Sequence, residues 1–241
     1  MSVVANDKFE RIEKKFWMTR EQYSKMYEIL LEHMEIDQYG KSRICNIYCD
    51  TNDYYLIRRS IEHPRFKEKL RIRSYASFQT DSDVFVEIKR KVLGIGYKRR
   101  ITISFDQAKR LLAGQTVDSP DPQIEREIQE FVHRCHPQPK VFLSYERIAM
   151  FGKENPEFRI TIDQNLRYRM YDKSMDFRQE GIPMLEDESR ALMEVKAAGC
   201  IPLWLVNAMS ELGIYQAPFS KIGACFTKFI APSLKPGRHI S

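Results

Sequence analysis

Long apolar runs, a leader segment and paired cysteines are all missing from this 241-residue sequence. No stretch approaches the ~18 consecutive apolar residues of a membrane-spanning helix, and residues 1–16 lack the apolar centre of a signal peptide. The five cysteines form no CxxC pair, which argues against a disulfide framework or a four-cysteine zinc site. We therefore expect a cytoplasmic protein without a membrane span, whose cysteines are reduced residues of the core.

Sequence motifs of the common catalytic machineries are missing as well. The segment GIGYK at 94–98 is too short for a phosphate-binding P-loop, and no Ser, Cys or His triad is recognisable. The cluster HRCH at 133–136 ends a predicted helix, and we interpret it as helical rather than as a metal site. Chemistry that depends on a P-loop or on a covalent nucleophile is therefore not indicated.

Positive charge is what the sequence does have, with a formal net charge of +6. Such a charge implies an anionic partner, which can be nucleic acid, a membrane or a phosphorylated substrate. Lys and Arg recur at alternate positions of strand-like segments, rather than in a tail or along one exposed helix. No aromatic RNA-stacking motif is present, so a phosphorylated substrate is favoured and nucleic acid is the second candidate.

Two strand-like segments, EKLRIRSY at 68–75 and VFVEIKRK at 84–91, place their charges on one face. Those charged faces hold Lys69, Arg71 and Arg73 in the first segment, and Glu87, Lys89 and Lys91 in the second. Residues 77–83 between them are a plausible hairpin connection. If the strands pair, like charges lie side by side, which costs free energy unless Glu87 or a bound anion offsets it. The pattern predicts an anionic ligand. It also predicts that Arg71→Ala or Arg73→Ala lowers turnover at least tenfold and leaves the melting temperature unchanged or raised.

Helical and strand periodicity alternate along the rest of the chain. Helices are predicted at 19–34, where Thr19 and Gln22 form a capping box, and at 105–114, 123–135, 202–213 and 218–229, with a short helix or turn at 53–64. Segment 8–18 alternates like a strand, and further strands are predicted at 42–50, 94–104, 141–151, 158–170 and 191–199. About eight strands with charged faces and no Gly-rich βαβ unit favour an α+β fold: an antiparallel barrel with a polar, basic lumen, flanked by helices. The length of the chain allows one large domain or two small ones.

Seven segments of the sequence together resemble those of a known protein family. The segments RIEKKF, YCDTNDYYLIRRSIEHPRFKEKLRIRSY, VFVEIKRK, YKRR, FRITID, LMEVK and FSK occur in the order seen in VTC-type polyphosphate polymerase domains. These domains belong to the CYTH-like superfamily of triphosphate tunnel metalloenzymes. The resemblance covers about residues 8–229 and implies one domain over 1–241. It implies an antiparallel eight-stranded tunnel that transfers the γ-phosphoryl group of ATP onto a growing polyphosphate chain, with Mn²⁺ or Mg²⁺. The chain resembles a free-standing bacterial form, without the SPX domain and membrane helices of the eukaryotic complex.

Site residues follow from the resemblance, position by position. It implies a basic substrate-binding lining of Lys15, Arg58, Lys69, Arg71, Arg73, Lys89, Lys91, Lys98, Arg99, Arg159 and Lys221. It implies metal binding by Glu194 of the MEVK motif, with Glu13 and Glu87 as further carboxylates. The residues expected to be catalytic are Lys69, Arg71, Arg73, Lys89, Lys221 and Glu194. Multiple fixed cations suit a polyphosphate, and phosphoryl transfer needs positioning and charge neutralisation rather than a nucleophile.

Two alternatives stay open. Arg11 stands at the first position of the superfamily's N-terminal ExExK motif, a departure that weakens the simple triphosphatase interpretation. A hydrolase of tripolyphosphate or nucleoside triphosphate is nevertheless an alternative to the polymerase. A protein that binds polyphosphate or nucleic acid without catalysis is the other.

Overall fold

The computed structural model describes residues 11–62, 64–75, 83–93, 95–170, 173 and 181–234, with Arg11 described in its backbone only. Most of the predicted hairpin connection at 77–83 lies outside these ranges. Within them, none of the helices combines the length and the apolar character that crossing a bilayer requires.

A mostly antiparallel nine-stranded sheet organises the described chain. Its strands are β1 (Arg11–Met18), β2 (Met34–Asp50), β3 (Phe66–Tyr75), β4 (Asp83–Val92), β5 (Ile95–Ser104), β6 (Gln138–Gly152), β7 (Arg159–Arg169), β8 (Ile182–Pro183) and β9 (Ala191–Ala198). The order of pairing is β1-β9-β7-β6-β2-β3-β4-β5, with the short β8 beside β7. Among the described residues β1 and β5 are the two ends of this order, so the predicted closed tunnel is not confirmed.

Within the described ranges, six α-helices complete the α+β fold. They are α1 (Arg20–His33), α2 (Tyr55–Ile61), α3 (Phe105–Leu112), α4 (Pro122–Cys135), α5 (Leu203–Glu211) and α6 (Lys221–Cys225), the last continuing as a π-helical turn over Phe226–Ile230. The predicted capping box of Thr19 and Gln22 at the start of α1 is confirmed. Sequence periodicity missed residues 34–41 of β2, because DQYG at 37–40 has turn-like composition and Gly40 has a φ of +57°.

Contacts group the chain into two compact units, each with an apolar core of its own. Unit 1 comprises residues 1–42, 146–165 and 185–219, and unit 2 comprises residues 43–145, 166–184 and 220–241. In unit 1, α1 and the apolar faces of β1, β7 and β9 bury residues such as Leu30, Ile160 and Met193. In unit 2, Leu70 and Ile88 pack in one cluster with Phe131 of α4. Whether the chain is one domain stays a prediction.

Burial follows the alternation predicted for 68–75 and 84–91, since Leu70, Ile72, Val86 and Ile88 are all buried in the unit 2 core. Full burial of such a side chain contributes about 1.5–3 kcal/mol, so the apolar face fixes which face is left for the charges.

All five cysteines are free. Cys45, Cys49 and Cys225 are buried, and burial raises the pKa of each thiol to about 12. The expectation of core cysteines is wrong for Cys200, which is exposed.

Candidate active site

A row of lysines crosses three strands of unit 2. Lys69 of β3 lies directly opposite Lys89 of β4, and Lys89 lies directly opposite Lys98 of β5. The predicted juxtaposition of like charges is therefore real. Lys69 Nζ donates to Ser220 Oγ at 3.3 Å, and Lys98 Nζ lies 2.8 Å from a carboxylate oxygen of Glu87. This face is the polar side of strands whose other side is the unit 2 core.

The next row along the same face centres on Glu87, whose side chain is only 1% exposed. Arg71 Nε donates to Glu87 Oε2 at 2.6 Å, while the Lys98 contact with Oε1 is an ion pair without hydrogen-bond geometry. Burial raises the pKa of Glu87, but the charges of Arg71, Arg73 and Lys98 outweigh burial and lower this pKa to about 2. Glu87 is therefore ionised and partly neutralises the row.

Tyr48 of β2 belongs to this network, although the sequence analysis did not identify it. Arg71 lies opposite Tyr48 in the sheet, and its Nη1 donates to the phenol oxygen at 3.4 Å. Burial raises the pKa of Tyr48, yet the charges of Arg71, Lys69 and Arg73 lower it to about 8. The lowered pKa of Tyr48 shows that the positive charges of this face stabilise its phenolate more than burial destabilises it.

Arg73 and Lys221 share one aromatic neighbour. Arg73 is buried, donates through Nε to Asn46 Oδ1 at 2.9 Å, and donates through Nη2 to the hydroxyl of Tyr145 at 3.4 Å. Lys221 Nζ lies 4.6 Å from the centre of the Tyr145 ring, a cation–π distance. Hydrogen bonds on Arg73 fix its guanidinium plane, which is the preorganisation that a phosphate contact requires.

Unit 1 contains the second cluster, around Glu194 of β9. In the sheet Glu194 lies opposite Lys15 of β1 on one side and opposite Thr161 of β7 on the other. Lys196 Nζ contacts Glu194 Oε1 at 2.9 Å. Burial raises the pKa of Glu194, but Lys196, Lys15 and Arg147 together lower it well below its usual range. Glu194 is therefore a buried carboxylate that is ionised at neutral pH.

Several polar groups complete the unit 1 cluster. Lys15 Nζ donates to the Phe219 carbonyl at 3.0 Å and lies 3.9 Å from Glu13 Oε1. Arg147 donates two hydrogen bonds, of 2.6 and 2.8 Å, to the buried Asp163. The sequence analysis missed Asp163 and Thr161; alternation within FRITID puts both on one face, but nothing in that segment marks the face as functional.

Four predicted lining residues lie apart from these contacts. Arg99 is on the opposite face of β5, where its Nε lies 3.4 Å from Glu127 of α4. Arg58 is exposed in α2 and pairs with Asp53. Arg159 is an exposed residue at the start of β7, one row beyond Thr161 and directly opposite Lys196 in the sheet. Lys91 is exposed one row beyond Lys89. Their predicted roles stay predictions.

The side chains of the described residues limit the kind of metal site this chain can form. Among those residues no group of three or more His, Cys, Asp or Glu side chains could hold a metal ion by itself. The predicted metal roles of Glu194, Glu13 and Glu87 stay predictions. Thr161 Oγ1 is buried next to Glu194 in the sheet and finds no hydrogen-bond partner in the described chain. One carboxylate and one hydroxyl fit Mg²⁺ or Mn²⁺ only where substrate phosphates and water supply the other ligands.

Comparison with known proteins agrees with the earlier resemblance. The family profile of the VTC domain matches residues 10–230. A Bacillus halodurans protein provisionally described as an adenylate cyclase is similar in structure, with a TM-score of 0.55 and 15% identity over 93% of this chain and 97% of that chain. A Pyrococcus horikoshii protein has a TM-score of 0.47 and 12% identity, over 90% and 99% of the two chains. The likeness to the Bacillus halodurans protein shows a shared fold. No curated protein matches this sequence.

Proposed function

We propose, from the premise that this chain belongs to the VTC domain family, that it is a polyphosphate polymerase. Family membership and the cationic faces support a function on phosphate compounds. The proposed reaction transfers the γ-phosphoryl group of ATP onto the end of a polyphosphate chain, and the proposed location is the cytoplasm, where ATP is made available. We also propose, from the resemblance, that the sheet closes into an eight-stranded tunnel.

The lysine row of Lys69, Lys89 and Lys98 is the observation that carries this proposal. Like charges directly opposite each other destabilise a sheet. Glu87 offsets only part of this charge, since Arg71 and Lys98 both pair with that single carboxylate. A linear polyanion has about one negative charge per phosphate, so it would neutralise such a row along its length.

In the proposed reaction the side chains position phosphates and neutralise charge. Arg71 and Arg73 offer planar guanidinium groups that can each hold two phosphate oxygens, whereas Lys69, Lys89, Lys98 and Lys221 act as point charges. Phosphoryl transfer has a transition state whose charge is spread over the phosphate oxygens, so fixed cations accelerate it without a covalent nucleophile. Removing one such group costs about a hundredfold in turnover.

A divalent cation is expected to assist by neutralising phosphate oxygens. The groups proposed to hold it are Glu194, through its carboxylate, and Thr161, through its buried hydroxyl. Hard cations prefer these oxygen donors and retain several water or phosphate ligands. Whether Mn²⁺ or Mg²⁺ is preferred depends on ligands that the substrate provides.

Product analysis tests the proposal. The protein is incubated with ATP and Mn²⁺ or Mg²⁺, and the products are resolved by gel electrophoresis and by orthophosphate release. Both reactions release ADP from ATP. A polymerase also gives a ladder of long polyphosphate, whereas a hydrolase gives orthophosphate and no ladder. Tight binding of tripolyphosphate without turnover under any metal would support the non-catalytic binder instead.

Variants connect the activity to the lysine row. Lys89→Met should lower turnover at least tenfold, while Lys25→Met, which removes an exposed lysine of α1, should leave it unchanged. Equal effects of the two substitutions would mean that net charge, rather than the row, determines the rate.

A further inference from the structure

Strands β3, β4 and β5 of unit 2 end in a group of exposed apolar side chains, which we call the apolar tip. It consists of Phe66, Val92, Leu93, Ile95 and Tyr97. The exposed fractions are 71% for Leu93, 61% for Ile95, 53% for Tyr97 and 46% for Phe66. Single exposed apolar residues are common, but a contiguous set of large ones indicates an interaction surface.

Strand register makes the apolar tip continuous. Phe66 lies opposite Val92, and Val92 lies opposite Ile95, so the three form one row across the sheet. They share a face with the unit 2 core, but Glu68 and Arg90 of the next row are bound by Arg134 and Glu127 of α4. The apolar row lies beyond these ion pairs, one row nearer the strand ends. The core therefore does not explain why these positions are apolar.

The backbone conformation of Leu93 also indicates that folding does not explain the apolar side chain at this position. Its φ is +49°, in the left-handed region that glycine and asparagine adopt more easily than leucine. Its N–H donates to the Arg65 carbonyl at 2.8 Å, so the conformation is fixed at the strand ends. A leucine that is strained and largely exposed contributes little to folding, which suggests that its side chain serves a contact made outside the chain.

Basic residues surround the apolar tip. Arg65, Lys67 and Lys91 lie at the same strand ends, and Lys67 is directly opposite Lys91 on the face away from the apolar row. Neither 65–67 nor 91–100 contains an Asp or Glu. The complementary surface must therefore be apolar and negatively charged.

We propose that the apolar tip docks this protein on the surface of an anionic lipid bilayer. Phe66, Leu93 and Ile95 would enter the boundary between headgroups and acyl chains, while Lys67 and Lys91 would extend to lipid phosphates. A protein partner is less well suited, because a stable protein interface buries about 800 Å² on each side, whereas the tip offers a few side chains at strand ends. The chain would lie on the membrane without spanning it.

Vesicle co-sedimentation tests this proposal. The full chain is mixed with vesicles of phosphatidylcholine containing about one third phosphatidylglycerol, and with vesicles of phosphatidylcholine alone. We expect binding to the anionic vesicles only. Leu93→Asn should weaken it about tenfold, from the apolar burial that is lost. Arg65→Gln should weaken it about fivefold and reduce its salt dependence.

Two features of the Leu93→Asn variant keep the result interpretable. Asparagine suits the positive φ, so the variant should fold at least as stably, and it retains every basic residue of the lysine row. Its turnover of ATP in solution should be unchanged, which separates this proposal from the polymerase proposal. Leu203→Asn is the matched control, because Leu203 of α5 is 72% exposed in unit 1 and should not affect vesicle binding.

Three outcomes would overturn the proposal. The first is the absence of binding to anionic vesicles at low salt. The second is equal binding by wild type and Leu93→Asn, since the cationic faces alone would then account for the attraction. The third is a soluble protein that binds the wild type but not Leu93→Asn, when vesicles bind neither of the two. This result would assign the apolar tip to a protein partner.

Discussion

Replacing Glu87 by glutamine isolates the charge that holds the cationic face together. The substitution keeps the size of the side chain and removes the negative charge that faces Arg71 and Lys98. The pKa of Glu87 falls from 4.5 to about 2 in the folded protein. A pKa difference of one unit between the folded and unfolded states corresponds to about 1.36 kcal/mol. The ionised carboxylate therefore contributes about 3 kcal/mol to the free energy of unfolding at pH 7.

The sign of the pH dependence follows from the lowered pKa. The contribution is fully present above pH 4.5, the unfolded value, and is lost as the pH falls through about 2. Urea unfolding of wild type and Glu87→Gln should therefore differ by about 3 kcal/mol at pH 7 and by about 1.4 kcal/mol at pH 3. Tripolyphosphate should raise the melting temperature of Glu87→Gln more than that of wild type, because the variant leaves more positive charge to neutralise.

Glu127→Gln provides the control. Its carboxylate also pairs with two arginines, Arg90 and Arg99, but the Glu127 side chain is 23% exposed against 1% for Glu87. Because solvent screens partly exposed pairs, we expect a loss of about 1 kcal/mol or less. A Glu87→Gln deficit that is the same at pH 7 and pH 3 would refute the electrostatic explanation, and so would a deficit no larger than that of Glu127→Gln.

The remaining predictions concern Glu194, Tyr48 and Arg71. Glu194→Gln should lower turnover roughly a hundredfold and raise the Mn²⁺ concentration needed for half-maximal turnover. The affinity for tripolyphosphate without metal, measured by calorimetry, should be unchanged or higher. Normal turnover at limiting Mn²⁺ would place the metal elsewhere. Tyr48 should give a phenolate absorbance with a midpoint near pH 8 that is missing from Tyr48→Phe. Since this pKa is lowered, its contribution to stability is present above pH 10 and is lost as the pH falls through about 8; a midpoint near 10 would contradict the strongly positive face. Arg71→Ala should lower the melting temperature, because it removes the shorter of the two ion pairs of buried Glu87; an unchanged or raised melting temperature would show that repulsion among the cations dominates.

The prediction for Arg71 shows where sequence reasoning stopped. Alternation in EKLRIRSY identified a face of three cations, from which relief of repulsion was expected on removing one. The structure changes that expectation, because Glu87 lies directly opposite Arg71 and is buried between Arg71 and Lys98. Register decides whether neighbouring charges repel or pair, and a segment read alone carries no register.

Local periodicity predicted most of the secondary structure of the described chain. The apolar positions of β3 and β4 are spaced two residues apart, so their burial could be predicted residue by residue. In α1, where apolar residues recur three or four apart, Met26 and Leu30 are buried but Leu31 is exposed. The capping box at Thr19 is equally local. Residues 34–41 of β2 were missed because their turn-like composition competes with pairing energies that come from distant strands.

Sequence by itself determined which residue types this protein has for phosphate chemistry, and the ordered motifs indicated the family that the profile match confirms. Tertiary structure decided which of those residues act together. Arg99 and Lys98 are neighbours in sequence, yet one pairs with Glu127 of α4 and the other with Glu87 on the opposite face. The buried Thr161 hydroxyl and the lowered pKa of Tyr48 likewise depend on strands far apart in the chain, because solvation and electrostatic fields are set by what packs around a group rather than by its neighbours in sequence.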